Sequence, residues 1–293
     1  MDTIGLDVHK RETQLCIRGG RRSVFAQGGW MGALYDNIGG GYDTTRRADP
    51  YLTSRLLAGL GAVAGRSYLD VACGSGNYAV ALAGRGIEVH GVDRSRRMIA
   101  AAAAKRTANA PAVTWSLADA TALPFRTGAF TGAMCTLALH HFPALLPVFA
   151  EVRRVLSAGR FVVFTATREQ MAGYWLREYF PRAIARSAEA MPSWDEILEP
   201  LHSAGFSRIA VELYDVTIDL ADFFLYSGKH RPAMYLDAAV RANISTFSTQ
   251  AESAEVASGC ARLALDIASG RITDVIDSYR STAGDYMFVA ADA

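Results

Sequence analysis

The sequence is poor in cysteine, and its charges nearly cancel. Its 293 residues include four widely spaced cysteines, Cys16, Cys73, Cys135 and Cys260, without a Cys-x-x-Cys pair. This spacing disfavours a disulfide framework or a zinc site and indicates a protein of the reducing cytoplasm. With 30 basic and 29 acidic residues the net charge is +1, so the global basic excess typical of a nucleic-acid-binding protein is missing.

Long apolar runs are missing as well. No uninterrupted apolar segment reaches the roughly 20 residues that a membrane-spanning helix needs, and residues 1–22 lack the features of a signal peptide. The 6 histidines are scattered without the spacing of a metal site. Because the chain is long and 51% hydrophobic, we expect one large domain with a full core.

The most informative segment is a glycine-rich turn. An apolar run that ends in Asp70-Val71-Ala72 leads into Cys73-Gly74-Ser75-Gly76 and then into an Ala-rich stretch. The pattern predicts a buried strand, a tight turn and a helix that presents its N-terminus to a small ligand. The glycines also match a dinucleotide pattern, which alone is a weak signal, so an NAD(P) enzyme stays an alternative. The Asp70 carboxylate would repel a pyrophosphate but favours the sulfonium and ammonium groups of S-adenosylmethionine (SAM).

A second carboxylate, Asp93, follows the apolar-rich run 87–92. About 20 residues beyond the glycines, it is placed to accept hydrogen bonds from both ribose hydroxyls of a nucleoside. The alternative is that Asp93 caps the helix that begins near Arg96. Its register with the glycine turn favours the ligand role.

Strand-like and helix-like segments alternate over residues 67–167. Strands are predicted near 67–72, 87–92, 113–117, 130–137 and 160–166, with helices near 76–85, 95–107 and 143–157. This order predicts a doubly wound parallel α/β sheet with its ligand at the carboxyl ends of the strands. Downstream, the pattern predicts a helix over Trp194–Ala204 and strands over 208–216 and 286–290.

Five motifs carry a resemblance to a known family: Leu69 to Gly76, Val92 to Ser95 with Met98, Asp119 to Phe125, Leu137 to Phe142, and Glu151 to Leu156. In these the chain resembles class I SAM-dependent methyltransferases of the small-molecule branch, which includes ubiquinone- and menaquinone-type enzymes. The similarity runs from about residue 35 to 213 and resumes at the C-terminus. It implies a Rossmann-like, mostly parallel seven-stranded sheet, SAM as cofactor, and in-line methyl transfer to O, N or C of a small metabolite.

The resemblance also implies a SAM site. Tyr42 would lie near the sulfonium, where an aromatic face suits a cation, and Arg46 or Arg47 would pair with the methionine carboxylate; packing tyrosines beside solvated arginines are the alternative. Met98 would pack on the adenine or simply fill the core. The complete predicted set is Tyr42, Arg46, Asp70, Ala72, Gly74, Gly76, Asp93, Arg94, Met98, Asp119, Ala120 and Leu137, with Asp119 and Ala120 at the adenine.

His140 and His141 follow the fourth predicted strand at the mouth of the predicted site. Histidine accepts a proton near neutral pH, so both are candidate general bases; the alternative is that one only bridges the strand end to backbone groups. Tyr174, Glu178 and His230 are further candidates. An aromatic-rich segment, 168–192, is predicted to cover the substrate, and the predicted substrate-binding set is Tyr35, Tyr174, Trp175, Tyr179 and His230.

About seventy residues separate the last two predicted strands, far more than a usual connection. We predict a helical insert over 219–284, with helices at 219–227, 233–243 and 252–269, beside or over the active site. It contains the basic run from Tyr226 to Pro232, either an exposed turn or a loop that holds an anionic group.

Residues 1–30 are predicted as an extension outside a methyltransferase domain at 31–293. Residues 4–17 resemble the N-terminus of insertion-sequence transposases, with Asp7 at the position of a catalytic aspartate. The similarity ends within some twenty residues, so we interpret the extension as a fused remnant or an over-long translation start. An edge strand or a loose arm is the structural alternative.

The acceptor stays open. No Asn/Asp-Pro-Pro-Tyr/Phe motif follows Met134-Cys135, which disfavours methylation of DNA amino groups. A tRNA-modifying methyltransferase remains a rival, because some such enzymes of the superfamily carry a His-His motif. A non-catalytic SAM-binding partner protein is a second rival. The sequence predicts no oligomeric state.

Overall fold

Five parallel strands form the centre of the sheet in a computed structural model, which describes residues 15–17, 42–105 and 113–293. The strands are β1 Leu15–Ile17, β2 Ser67–Val71, β3 Glu88–Asp93, β4 Thr114–Leu117, β5 Gly132–Thr136, β6 Arg160–Thr165, β7 Ser207–Tyr214 and β8 Tyr286–Asp292. Their order is β1-β4-β3-β2-β5-β6-β8-β7. Strands β2 to β6 run parallel, and β8 is antiparallel to both of its neighbours. The predicted doubly wound sheet is confirmed.

One strand comes from the segment that the sequence interpretation separated from the domain. The backbone of β1 pairs antiparallel with β4, with Cys16 opposite Ser116. Residues 15–17 therefore add an eighth strand at the edge of the seven predicted ones, in agreement with the edge-strand alternative. The rest of residues 1–30, including Asp7, lies outside the described residues.

Helices cover both faces of the sheet. Tyr68 of β2 belongs to one buried apolar cluster and its neighbours Leu69 and Val71 to another, because successive strand side chains point to opposite faces. In the described part of the chain the α-helices are Tyr42–Thr45, Pro50–Leu60, Asn77–Ala83, Arg96–Ala104, Leu145–Val155, Arg168–Ala172, Pro181–Ala190, Trp194–Ser203, Ala238–Ala242, Ser253–Ser269 and Ile272–Ser278. Among the described helices, none has both the length and the apolar character to cross a bilayer.

The insert is less regular than predicted. The helix predicted at residues 219–227 is wrong, since these residues form turns and irregular backbone. The reason is that several of their backbone amides donate hydrogen bonds to distant groups instead of to one another. Ala221 N donates to Asp49 Oδ2, Phe223 N to Thr45 O and Tyr226 N to Tyr286 Oη.

Of the two other helices predicted in the insert, one is split and one is confirmed. The predicted helix 233–243 is split into a 3₁₀ turn, Pro232–Leu236, and the helix Ala238–Ala242, which Asp237 caps. Residues 246–250 form a single π-helical turn. The helix predicted at 252–269 is confirmed and ends at Gly270 in the left-handed conformation.

The basic run from Tyr226 to Pro232 is a packed turn rather than an exposed one or an anion-binding loop. Ser227 is fully buried. The Lys229 ammonium lies 2.7 Å from Asp285 Oδ2, and Arg231 Nη2 donates to the Leu220 carbonyl at 2.7 Å. The positive charges of this run are thus used to hold the insert together.

Gly76 is required where the helix Asn77–Ala83 begins. Its φ is +75°, and a Cβ there would overlap the ring of Trp115 on β4. Gly74 has a φ of +55° but no neighbour close to its missing Cβ. The two glycines share a left-handed backbone and differ in the space around them.

We expect Gly76→Ala to lower the free energy of unfolding by about 3 kcal/mol, because it combines overpacking with a strained left-handed residue. Gly74→Ala should cost about 1 kcal/mol, because only the backbone term remains. Urea denaturation of both variants gives the comparison. Equal losses would contradict the role assigned to Trp115.

Candidate functional site

A cavity of about 450 Å³ lies at the carboxyl ends of the parallel strands. Parallel strands end on the same edge of a sheet, so residues that are far apart in sequence meet there. The structure brings together nine of the twelve predicted cofactor residues: Arg46, Ala72, Gly74, Asp93, Arg94, Met98, Asp119, Ala120 and Leu137. We call this the donor cavity.

Asp93 joins the glycine turn to the end of β3. Gly74 N donates to its Oδ2 and Ser95 N to its Oδ1, each at 2.8 Å. The helix Arg96–Ala104 is capped by Ser95, whose Oγ accepts from Met98 N. The capping role considered for Asp93 therefore belongs to Ser95. A carboxylate has about four lone-pair sites, so Asp93 can accept further hydrogen bonds in the cavity.

Two predicted cofactor residues, Asp70 and Gly76, are placed differently, and the side chain of a third, Tyr42, lies outside the described part of the structure. Asp70 is only 1% exposed and does not line the cavity; its Oδ1 has no hydrogen-bond partner among the described residues. Burial raises the pKa of this carboxyl well above its usual range, and the Asp93 charge adds to the shift. Gly76 also lies outside the lining, since it serves the helix start. Only the backbone of Tyr42 is described, within the helix Tyr42–Thr45.

The segment that follows residue 42 is fastened to the glycine turn by polar contacts that the sequence reasoning missed. Asp43 Oδ1 accepts from Ser75 Oγ at 2.5 Å and pairs with the Lys105 ammonium at 2.9 Å. Asn77 Nδ2 donates to the Arg46 carbonyl at 3.0 Å. Arg47, the alternative to Arg46, is exposed and does not line the cavity.

The insert contributes a buried carboxylate to the same cavity. Arg46 Nε donates to Asp222 Oδ1 at 2.5 Å, and the Tyr78 hydroxyl donates to Asp222 Oδ2 at 3.1 Å. Asp222 is 2% exposed. Burial raises the pKa of Tyr78 well above its usual range, and the Asp222 charge adds to this effect. An acidic residue inside the apolar run 220–225 is the sequence signal that would have found it.

A second cavity, of about 150 Å³, adjoins the first and shares Arg46, Leu137 and His141 with it. Its other lining residues come mainly from the cover segment and the insert: His140, Ala166, Met171, Ser187, Ala190, Met191, Phe224, Leu225, Ile244, Ser245, Thr246, Thr249, Gln250 and Tyr286. We call it the acceptor cavity. The three shared residues form the wall between the two spaces.

Both predicted catalytic histidines lie at this wall. Their ring centroids are 3.9 Å apart; His140 lines the acceptor cavity and His141 lines both cavities. Burial lowers the pKa of His140 to about 3, with further lowering by His141 and Arg46. Burial lowers the pKa of His141 to about 4. Both imidazoles are therefore neutral at neutral pH.

Three of the aromatic residues predicted to bind substrate, Tyr174, Trp175 and Tyr179, lie outside both cavities. The ring of Tyr174 stacks on Tyr226 at 3.8 Å, and its hydroxyl donates to the Asp285 carbonyl. Trp175 Nε1 donates to the Lys229 carbonyl, and the buried Tyr179 donates its hydroxyl to Asp266. These large rings join the cover to the insert, because together they bury extensive apolar area while each polar tip finds a partner.

Of the other residues predicted to bind substrate or act as a base, His230 and Glu178 line neither cavity. His230 Nε2 lies 3.0 Å from the Val216 carbonyl and lines neither cavity. Glu178 accepts a hydrogen bond from the Tyr279 hydroxyl. Tyr35 lies outside the described residues. The part of the cover that lines the acceptor cavity is Met171, Ser187, Ala190 and Met191.

Comparison with known proteins shows that the chain is similar to methyltransferases. Residues 69–159 match a family model described as a methyltransferase domain. The O-methyltransferase rstn1 of Aspergillus nomiae is 30% identical over 177 residues, which is 57% of this chain and 76% of that protein. A demethylmenaquinone methyltransferase of Thermus thermophilus is 32% identical over 161 residues, 47% of this chain and 73% of that protein.

A solved structure covers more of the chain. A putative methyltransferase from an antibiotic biosynthesis pathway of Anabaena variabilis superimposes with a TM-score of 0.75 at 28% identity. The match spans 84% of this chain and 98% of that one. The likeness therefore extends well beyond the methyltransferase domain matched at 69–159.

The lowered histidine pKa values predict a pH-dependent stability. Between pH 6.5 and pH 5 the unfolded chain binds a proton at His140 that the folded protein does not, because the folded pKa is about 3. The free energy of unfolding should therefore fall as the pH falls, by about 1.5–2 kcal/mol over this window from His140 alone. His140→Phe should flatten the slope by that amount in urea denaturation at each pH. An unchanged slope would show that His140 is not buried in its neutral form.

Proposed function

The chain belongs to the SAM-dependent methyltransferase family, and from that premise we propose that it methylates a small molecule bound in the acceptor cavity. The observation that carries the proposal is the common wall of the two cavities, formed by Arg46, Leu137 and His141. A donor on one side and an acceptor on the other would meet there, as an in-line displacement requires. Members of this family use the same cofactor to methylate many different substrates. The proposed class of acceptor therefore rests on the second cavity.

The donor cavity suits SAM in size and chemistry. Its volume of about 450 Å³ lies within the range of about 300–1,000 Å³ typical of small-molecule sites. Gly74 lets the backbone approach a ligand without a side chain in the way. When bound, SAM supplies a methyl group already activated on a sulfonium, so no further electrophile is needed.

We assign a part of SAM to each group of residues. Asp93 would accept from the ribose hydroxyls, and Asp119 and Ala120 would bind the adenine, against which Met98 packs. Arg46 and Asp222 carry the opposite charges needed for the carboxylate and the ammonium of the methionine end. What supports these assignments is that all six residues line the same cavity.

The remaining catalytic contribution is alignment. Holding two reactants in register where the two cavities meet contributes roughly 7–11 kcal/mol to lowering a barrier. The neutral His140 and His141 place no positive charge beside a cationic donor. Either imidazole can also receive a proton that leaves the acceptor, which adds about 10²–10⁴-fold where the acceptor loses one.

Two variants distinguish binding of the ribose of SAM from binding of its methionine end. Asp93→Ala should weaken binding of both SAM and 5′-methylthioadenosine by about 10–100-fold, because both contain the ribose. Asp222→Asn should weaken SAM but not 5′-methylthioadenosine, which lacks the amino-acid end. Isothermal titration calorimetry provides the four affinities. If Asp222→Asn weakens both ligands equally, its effect is on the fold and the assignment is wrong.

Transfer of a radiolabelled methyl group from SAM to a metabolite extract tests the activity itself. We expect label in a small-molecule fraction that resists RNase. Label that RNase releases would favour a tRNA-modifying enzyme, and SAM binding without transfer in any extract would favour a non-catalytic partner. Either of these results overturns the proposed function.

A further inference from the structure

The acceptor cavity is small. Its volume of about 150 Å³ equals that of an engineered, enclosed protein cavity that takes up benzene. It therefore accommodates one six-membered ring with small substituents, and any larger part of a ligand would have to extend out of it past the exposed Ala190 and Thr249. Phe224, Tyr286 and the thioethers of Met171 and Met191 line it, and such groups favour contact with a flat ring.

The described part of the cavity lining carries no uncompensated charge. Among the described lining residues, Arg46 is the one with a permanent charge, and Asp222 pairs with it at 2.5 Å. Both lining histidines are neutral at neutral pH. A carboxylate or ammonium entering this space would lose its hydration without gaining a counter-charge, which is costly.

Besides Arg46, His141 and Tyr286, two places in the described lining offer hydrogen-bonding groups. One is the π-helical turn, where Thr246 Oγ1 accepts from Ser187 Oγ at 2.9 Å and Gln250 lies at the other end. The other is His140, which forms no hydrogen bond with any described residue, while its Nδ1 is buried. Neutral imidazole offers one acceptor nitrogen and one donor N–H. His140 thus retains the capacity to accept from a ligand hydroxyl.

We propose that the acceptor is an uncharged, single-ring compound with a hydroxyl group, and that His140 recognises that hydroxyl by accepting its hydrogen bond. This rests on the proposed function and names the substrate class for it. The methylated atom is then the hydroxyl oxygen, which forms a bond to the methyl carbon as the carbon–sulfur bond breaks and its electron pair stays on sulfur. The hydroxyl proton passes to His140 and on to water. Because the oxygen becomes strongly acidic as it is methylated, a weakly basic imidazole suffices.

Matched probes test the hydroxyl and the charge separately. Phenol and toluene have nearly the same shape, and 4-hydroxybenzaldehyde and 4-hydroxybenzoate differ mainly in charge. With S-adenosylhomocysteine present, calorimetry should show phenol binding about tenfold tighter than toluene, the worth of one hydrogen bond. The aldehyde should bind and the benzoate should not. Equal binding of phenol and toluene, or benzoate binding as well as the aldehyde, would refute the proposal.

His140→Phe isolates the recognition step. It keeps a ring in place while it removes the acceptor nitrogen, so the preference for phenol over toluene should disappear and SAM affinity should be retained. A general loss of structure would instead weaken both probes and SAM together, and melting temperature identifies that case. A phenol preference that survives in the folded variant contradicts the role of His140.

Ala190→Phe tests the location of the site. Ala190 and Ala185 are both exposed residues of the same helix, but Ala190 lines the acceptor cavity and Ala185 lines neither cavity. Ala190→Phe should abolish phenol binding with unchanged SAM affinity, and Ala185→Phe should change neither. If the extract assay yields a charged or multi-ring product, the proposed function stands and the uncharged, single-ring acceptor class is wrong. If no transfer occurs at all, the proposed function falls first.

Discussion

The buried ion pair between Arg46 and Asp222 connects the parts of the molecule that enclose both cavities. Arg46 directly follows the short helix Tyr42–Thr45, and Asp222 lies in the insert. Tyr78, which donates to Asp222, lies in the first turn of the helix Asn77–Ala83. Removing one partner of such a pair leaves an unpaired buried charge, which costs about 3–5 kcal/mol. The N-terminal segment, the insert and the sheet are therefore coupled at the point where donor and acceptor would meet.

The two cavities differ in how they are built. The donor cavity is formed by strand ends and tight turns, and its backbone is held in costly conformations: Ala72 and Leu137 have φ angles of 55° and 52°. A non-glycine residue in this region costs about 1–2 kcal/mol. The acceptor cavity is formed by helices and turns of the cover and the insert, which are packed through buried aromatic rings. Rigid positioning on one side thus meets an adaptable surface on the other.

The strand ends could be predicted from the sequence because their residues are positioned by the sheet. Asp93, Asp119 and Leu137 each follow a recognisable apolar strand, and parallel strands bring such positions together. The aromatic cover could not be assigned in the same way. Composition shows that Tyr174 and Trp175 will be buried, but it does not show whether they face a cavity or another segment.

Two further features could not be predicted from the sequence: ion pairs between residues far apart in the chain, and the protonation states of buried side chains. Asp222 lies 176 residues from Arg46 and follows no motif, so its pairing depends on how the insert folds back. His140 and His141 were recognised as neighbours of the site, yet their low pKa values arise from burial that only the packed structure provides. The turns at 219–227 form for a related reason: hydrogen bonds to distant elements replace local helical ones.

The common wall of Arg46, Leu137 and His141 also has an evolutionary consequence. Among the described residues only these three line both cavities, and Asp222 is the one described insert residue that lines the donor cavity. Mutations at other positions of the insert or cover would therefore leave the described lining of the donor cavity unchanged. The π-helical turn at 246–250 offers a particularly economical route, since a π turn holds one residue more than an α-helical turn. Deleting or adding a single residue there would rotate the hydroxyl-bearing face of the acceptor cavity and leave the described lining of the donor cavity unchanged.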